Sequence, residues 1–132
     1  MNGAKVLIID DDVEICLNMK DMFGYENIGA DYARTAKEAF QKMEHDGHKL
    51  ILVDIKLEGR VSGVDIIKSF RDKQNRPKII VISAVSLDLL DPIFQREEIV
   101  HLIDGYLDKP SCSNPDKLMS MAKLMLLGNE KE

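Results

Sequence analysis

Three carboxylates stand side by side at Asp10-Asp11-Asp12, directly after the apolar run Val6-Leu7-Ile8-Ile9. A further acid, Asp54, interrupts a second apolar run, Leu50 to Ile55. An unpaired acid in such a setting is costly, because burial penalises its charged form. Ser83 closes a third run, Ile79 to Ile82, and Lys109-Pro110 follows a short fourth one, Gly105 to Leu107. Carboxylates held together repel, and a hard divalent cation with oxygen ligands relieves that repulsion. Mg²⁺ suits such a place, since it takes one or two carboxylates and keeps room for water and a substrate phosphate. Phosphoryl oxygens brought to the ion need donors, and Ser83 and Lys109 supply a hydroxyl and an ammonium. One carboxylate is then free to act as nucleophile and become an aspartyl phosphate.

For that chemistry these residues must meet, and the pattern between them says how. The Ile- and Val-rich runs of four to six residues suit strands covered on both faces, as in a parallel sheet. Ile28 to Ala33 and Gly105 to Leu107 are weaker strand candidates. Between the runs the periodicity is helical. Ile15, Cys16, Met19, Met22 and Phe23 form one apolar face, with Gly24 placed where a helix ends. Thr35-Ala36-Lys37-Glu38 reads as a capping box ahead of Ala39, Phe40 and Met43. Ser62-Gly63-Val64-Asp65 opens a helix carrying Ile66, Ile67 and Phe70. Asp91-Pro92 and Asn114-Pro115 each read as an N-cap followed by proline in the first helical position. Strand and helix alternate five times, which predicts an α/β fold with right-handed crossovers and helices on both faces. Ligands in such sheets collect at the carboxyl ends of the strands. Those ends carry Asp10-Asp11, Asp54, Ser83 and Lys109, so three carboxylates, a hydroxyl and an ammonium converge on one edge.

Composition bounds the rest. The 132 residues suit one domain, with 45% hydrophobic and 31% charged residues as in ordinary globular chains. Acids outnumber bases 23 to 18, giving −5, which argues against nucleic acid or an anionic membrane as the primary partner. Cys16 and Cys112 are the only cysteines, and their spacing fits a reducing compartment better than a disulfide framework. Neither a signal peptide nor a membrane-length apolar stretch is visible, so a cytoplasmic, soluble protein is expected.

The set Asp10-Asp11, Asp54, Ser83 and Asp108-Lys109-Pro110, in that order on successive strand ends, resembles the receiver domain of two-component response regulators. The resemblance spans essentially the whole chain. It implies a single doubly wound domain over residues 1–127, with five parallel strands in the order 2-1-3-4-5, five helices and a polar tail at 128–132. It implies that Asp54 accepts a phosphoryl group from a phosphohistidine on a sensor histidine kinase or a histidine phosphotransfer protein. Asp11 and Asp54 would bind Mg²⁺, with the backbone carbonyl of Lys56 as another ligand and Asp10 acting through water. Ser83 and Lys109 would bond the phosphoryl oxygens. Tyr106 would be the aromatic that swings inward when the Ser83 hydroxyl is drawn to the phosphate, rearranging the face made by the fourth helix, fifth strand and fifth helix. Such a receiver phosphorylates and dephosphorylates itself rather than turning over as an enzyme, and signals to a downstream protein or an attached output domain. Dimerisation is left open, as is whether the receiver stands alone.

Blander roles are expected for the other residues. Asp12 caps the first helix. The three histidines belong to the surface, and Met119, Met121 and Met125 to helix packing. The chain departs from the family pattern in four places, one being His101-Leu102-Ile103 in place of the usual Ala-Gly-Ala lead into the fifth strand. Glu58 stands where the family usually has proline, the stretch to Gly63 is one residue longer, and the segment from Ser83 to Lys109 is several residues longer. Its Ser86–Leu90 piece is expected to be an extended loop or an extra turn before the fourth helix. A small Mg²⁺-dependent phosphatase of the haloacid-dehalogenase type remains the main alternative, since Asp10-x-Asp12 resembles its nucleophile motif. A degenerate receiver used as a binding module, or a flavodoxin-like flavin carrier, fits the acids less well.

Overall fold

Val6, Leu7, Ile8 and Ile9 are fully buried, and the core of the molecule grows outward from both sides of this one strand. The computed structural model describes residues 4–45, 47–57 and 62–130. It contains strands β1 (Val6–Ile9), β2 (Ala30–Ala33), β3 (Leu50–Asp54), β4 (Lys78–Ser83) and β5 (Gly105–Asp108). Helices α1 (Val13–Tyr25), α2 (Ala36–His45), α3 (Ser62–Lys68) and α4 (Leu87–Arg96) alternate with them, and a 3-10 turn (Val100–Leu102) precedes β5. Two helices follow β5: the single turn α5 (Lys109–Cys112) and the long α6 (Pro115–Glu130). All strand pairings are parallel, in the order β2-β1-β3-β4-β5.

Side chains alternate across this sheet with a period of two, which sorts the core into two layers. Leu7, Ile9, Ile51, Val53, Ile79 and Val81 pack with Ala39 of α2, Ile66 and Ile67 of α3, and Leu90 and Phe94 of α4. Val6, Ile8, Leu50, Leu52, Ile80 and Ile82 pack with Cys16, Met19 and Phe23 of α1 and with Leu118, Met119 and Ala122 of α6. The methionines of α6 are therefore packing residues, as their spacing predicts.

Several helix signals act as read. Asp12 caps α1 by accepting from the backbone N–H groups of Glu14 and Ile15. Thr35 Oγ1 accepts from Glu38 N–H at 3.0 Å, while the Glu38 carboxylate reaches back to Arg34 N–H. Asn114 accepts from Lys117 N–H at 3.2 Å, with Pro115 opening α6.

Five expectations need correction. The first helix passes Gly24 and ends at Tyr25, because Asn27 takes the left-handed turn (φ 61°). The Ile28 N–H then bonds the Phe23 carbonyl and the Asn27 N–H that of Gly24, a Schellman closure. The fourth helix begins at Leu87, so Pro92 lies inside it and Asp91 is not its cap. Leu90 and Phe94, four residues apart and both buried, draw the chain into helix before the proline is reached. Among the described residues there are six α-helices rather than five, since the Asp108 carboxylate accepts from Ser111 N–H at 2.8 Å and starts the extra turn α5. The last helix continues to Glu130 rather than stopping near Leu127. His48 is buried, unlike the exposed His45 and His101. Glu58 and the rest of the lengthened stretch at 58–61 lie outside the described residues.

Gly63, at the start of α3, presses directly on the end of β3. A Cβ there would lie 2.2 Å from the Asp54 carbonyl oxygen and 2.7 Å from Ile55 Cα. Its N–H donates to the Ile55 carbonyl at 3.0 Å. Backbone atoms cannot yield as a flexible side chain can, so Gly63→Ala is expected to cost about 2–3 kcal/mol. A lowered urea midpoint with unchanged slope would report it.

Candidate phosphoacceptor site

Register alone brings the acids together. Ile9 pairs with Val53, so Asp10 and Asp54 come next on neighbouring strands. On the far side, Asp54 pairs with Ile82 and Ser83 with Asp108, which sets Lys109 one step further on. The two-residue repeat then decides the facing. Asp10 follows Val6 and Ile8, Asp54 follows Leu50 and Leu52, and Lys109 follows Leu107, all on the α1 and α6 side of the sheet. Ser83 follows Ile79 and Val81 and so belongs to the α4 side.

The Lys109 ammonium touches both buried acids. It pairs closely with Asp10 Oδ2 and lies 3.1 Å from Asp54 Oδ2. Asp10 is fully buried, Asp54 is 6% exposed, and Asp11 is exposed. Backbone donors hold the other oxygens: Asp12 N–H on Asp10 Oδ1 at 2.9 Å, and Lys56 N–H on Asp54 Oδ1 at 3.1 Å. Asp10, Asp11 and Asp54 each offer an oxygen within 4.8 Å of the others. Among the described residues, the Lys109 ammonium is shared by two of these three carboxylates, Asp10 and Asp54.

The titration behaviour follows. Burial pushes the Asp10 carboxyl above its ordinary value, with the hydrogen bond from Lys109 only partly offsetting it. Burial does the same to Asp54, opposed by the Lys109 charge and reinforced by that of Asp10. For Lys109 burial favours the neutral amine, but its contacts with Asp10 and Asp54 together outweigh this and hold the ammonium above the usual lysine value. The nearby thiols are quiet. Cys16 donates to the Asp10 carbonyl and Cys112 to that of Asp108. Burial pushes both up to about 12, which leaves them protonated and unreactive at neutral pH.

Ser83 is brought to the same edge, but among the described residues its hydroxyl bonds Val85, accepting the N–H at 2.9 Å, and none of the acids. The Val85 carbonyl in turn accepts from the Tyr106 hydroxyl at 2.5 Å. Tyr106 thus lies inward, packed against the layer that holds α3 and α4. Sequence reasoning missed Val85 as the link between these two side chains, since an apolar residue working through its backbone leaves no compositional mark. Lys56 is exposed, with its backbone beside Asp54. Asp12 is exposed and occupied in capping α1, so the Asp10-x-Asp12 pairing of the phosphatase alternative does not form.

A family profile for the response regulator receiver domain matches residues 6–123. This chain belongs to that family. The CheY-like receiver domain protein of Methanospirillum hungatei JF-1 is 26% identical and covers 98% of each chain, with a TM-score of 0.81. The response regulator TrrA of Thermotoga maritima, solved in complex with Mg²⁺-BeF, is 25% identical over 95% of this chain and 99% of that one, with a TM-score of 0.73. The transcriptional regulatory protein ResD of Bacillus subtilis (strain 168) is 30% identical over 83 residues, 63% of this chain and 34% of that protein. The receiver therefore spans about a third of the length of such curated relatives.

Because burial raises Asp10 and Asp54, the folded receiver binds their protons more tightly than the unfolded chain does. Stability from this source is greatest when both are protonated, and it is lost as pH climbs from the ordinary 3.8 through the raised folded values. Asp54→Asn keeps the acceptor for Lys56 N–H and removes one buried charge. It is expected to raise the melting temperature by a few degrees near neutral pH, with the gain narrowing as pH is lowered, read by calorimetry across a pH series.

Proposed function

We propose that this receiver accepts a phosphoryl group on Asp54 in a Mg²⁺-dependent reaction and reports it through Ser83 and Tyr106. The observation that carries the reading is the Lys109 ammonium in contact with two buried carboxylates, one of them ending the central strand. A nucleophile at the end of a rigid strand is pre-positioned, and a fixed ammonium beside it suits the charge that arrives with phosphate.

Among the described residues the donor set is three carboxylates, which fits a hard divalent cation. Asp10, Asp11 and Asp54 would hold it, with the Lys56 carbonyl as a further ligand. The bound ion would supply charge neutralisation to the acids and to incoming phosphoryl oxygens. The relative TrrA was solved with Mg²⁺-BeF, which supports this choice of metal. An Asp54 oxygen attacks the phosphorus of a phosphohistidine. An O–P bond forms and the P–N bond breaks, with its electron pair leaving on the imidazole nitrogen, which takes a proton from solvent. Lys109, already on Asp54 Oδ2, is placed to bond the transferred group. Ser83 turning its hydroxyl to a phosphoryl oxygen would release Val85 N–H, and so disturb the Val85 carbonyl that Tyr106 holds.

The donor is a sensor histidine kinase or a histidine phosphotransfer protein, and self-dephosphorylation completes the cycle without enzyme turnover. The output goes to a protein target or to an attached module, as the longer transcriptional regulators among its relatives suggest. No helix among the described residues is long and apolar enough to cross a membrane, and a cytoplasmic site suits a partner of sensor kinases.

Incubation with Mg²⁺ and acetyl phosphate should add one phosphoryl group to the intact mass. Asp54→Asn or prior chelation should abolish the addition, and Lys109→Ala should slow it at least about tenfold. Unchanged labelling in Asp54→Asn would refute the assignment.

A further inference from the structure

Helix α4 carries a proline where a helix least accommodates one. Pro92 is the sixth residue of Leu87–Arg96, so it has no N–H to give the Asp88 carbonyl, and its ring crowds that carbonyl. The two sides of this break are held very differently. On the C-terminal side, Phe94 is buried, and Glu98 adopts a left-handed φ of 59° to close the helix. Ile99 N–H bonds the Phe94 carbonyl and Glu98 N–H that of Gln95. Arg71, beyond α3, then clamps this end by donating to the carbonyls of Glu97 at 2.5 Å and Glu98 at 3.2 Å. Lys68 of α3 pairs with the Glu97 carboxylate as well.

Among the described residues, the N-terminal side has little of this. Ser86 caps the helix without a side-chain hydrogen bond, its carbonyl taking the N–H groups of Leu89 and Leu90. Leu87 and Leu89 are 44% and 68% exposed, which leaves Leu90 as the buried anchor of the turn. Among the described residues, the side-chain hydrogen bond across the break is exposed, from the Gln95 amide to the Asp91 carboxylate. This loose turn is joined through Ser86 to Val85, the residue that Ser83 and Tyr106 both hold.

We infer that Pro92 makes α4 a hinged helix, in which the turn Leu87–Asp91 moves with the Ser83–Val85–Tyr106 link while residues 93–99 stay fixed to α3. The trigger rests on the phosphoacceptor reading; the hinge itself belongs to the resting protein. An interior proline is one of the few recognised causes of a helix kink, and a clamped far end confines the motion to the near one. Signalling through this helix would then be local to one turn, not a shift of the whole helix.

Hydrogen–deuterium exchange read by mass spectrometry tests this in the full chain. In the resting protein, amides of residues 89–91 should exchange at least about tenfold faster than those of 94–99. Pro92→Ala, which restores the missing N–H, should collapse that difference. Adding Mg²⁺ with fluoroberyllate should change exchange in residues 84–91 of the wild type and extend the change through residue 97 in Pro92→Ala. Equal exchange of the two halves at rest, or a Pro92→Ala variant that keeps the wild-type difference, would overturn the hinge. Failure of the phosphoacceptor reading would appear separately, as a wild-type intact mass unchanged by acetyl phosphate.

Discussion

Two carboxylates, side by side at the ends of neighbouring strands and nearly sealed from water, can both ionise only if something positive lies between them. Lys109 is that charge. Much of the surrounding architecture serves to put it there. Asp108 at the end of β5 turns the chain by capping α5, and Lys109 is the first residue of that turn. Its alkyl stem lies mostly within the protein while its ammonium reaches across to β3 and β1. Among the described residues, Lys109 is the ammonium that Asp10 and Asp54 share beside Asp11. On the proposed reading, a divalent cation and then a phosphoryl group would be drawn to this cluster of carboxylates.

The sheet divides the work between its faces. Asp10, Asp54 and Lys109 share the α1 and α6 side by the strict alternation of parallel strands. Ser83, one step beyond Ile82, belongs to the α4 side, and Tyr106 on the next strand packs into the same layer. On the proposed reading, chemistry at one face would reach the other through the strand ends themselves. The path is short: a hydroxyl, one residue's backbone amide and carbonyl, and a phenol. Burial also raises the Tyr106 phenol above its ordinary value, which keeps it protonated as the donor this path needs.

Much of this was legible in the residues. Asp54 stood out because an acid inside an apolar strand demands a partner, and the strand ends supplied the order in which partners arrive. Asp12 could be set apart as a cap from its place before an apolar helical face. The misreadings have physical causes. Asp91-Pro92 matches a helix start, yet the buried pair Leu90 and Phe94 carries the helix across it, because packing outweighs a local signal. Gly24 matches a helix end, but Asn27 adopts the left-handed turn and lets Ile28 close onto Phe23. His48 is buried at the start of β3 beside no sequence cue that would predict it. The facing of Ser83 away from the acids was not legible either, since it depends on a one-residue offset between strand ends.

The most direct test of the account is to follow the Asp54 side-chain carboxyl carbon by NMR through a pH titration, with and without Mg²⁺. Without metal Asp54 should titrate above the ordinary carboxylate value, and Mg²⁺ should draw the transition down by placing positive charge beside it. An Asp54 that titrates at its ordinary value and ignores Mg²⁺ would contradict it.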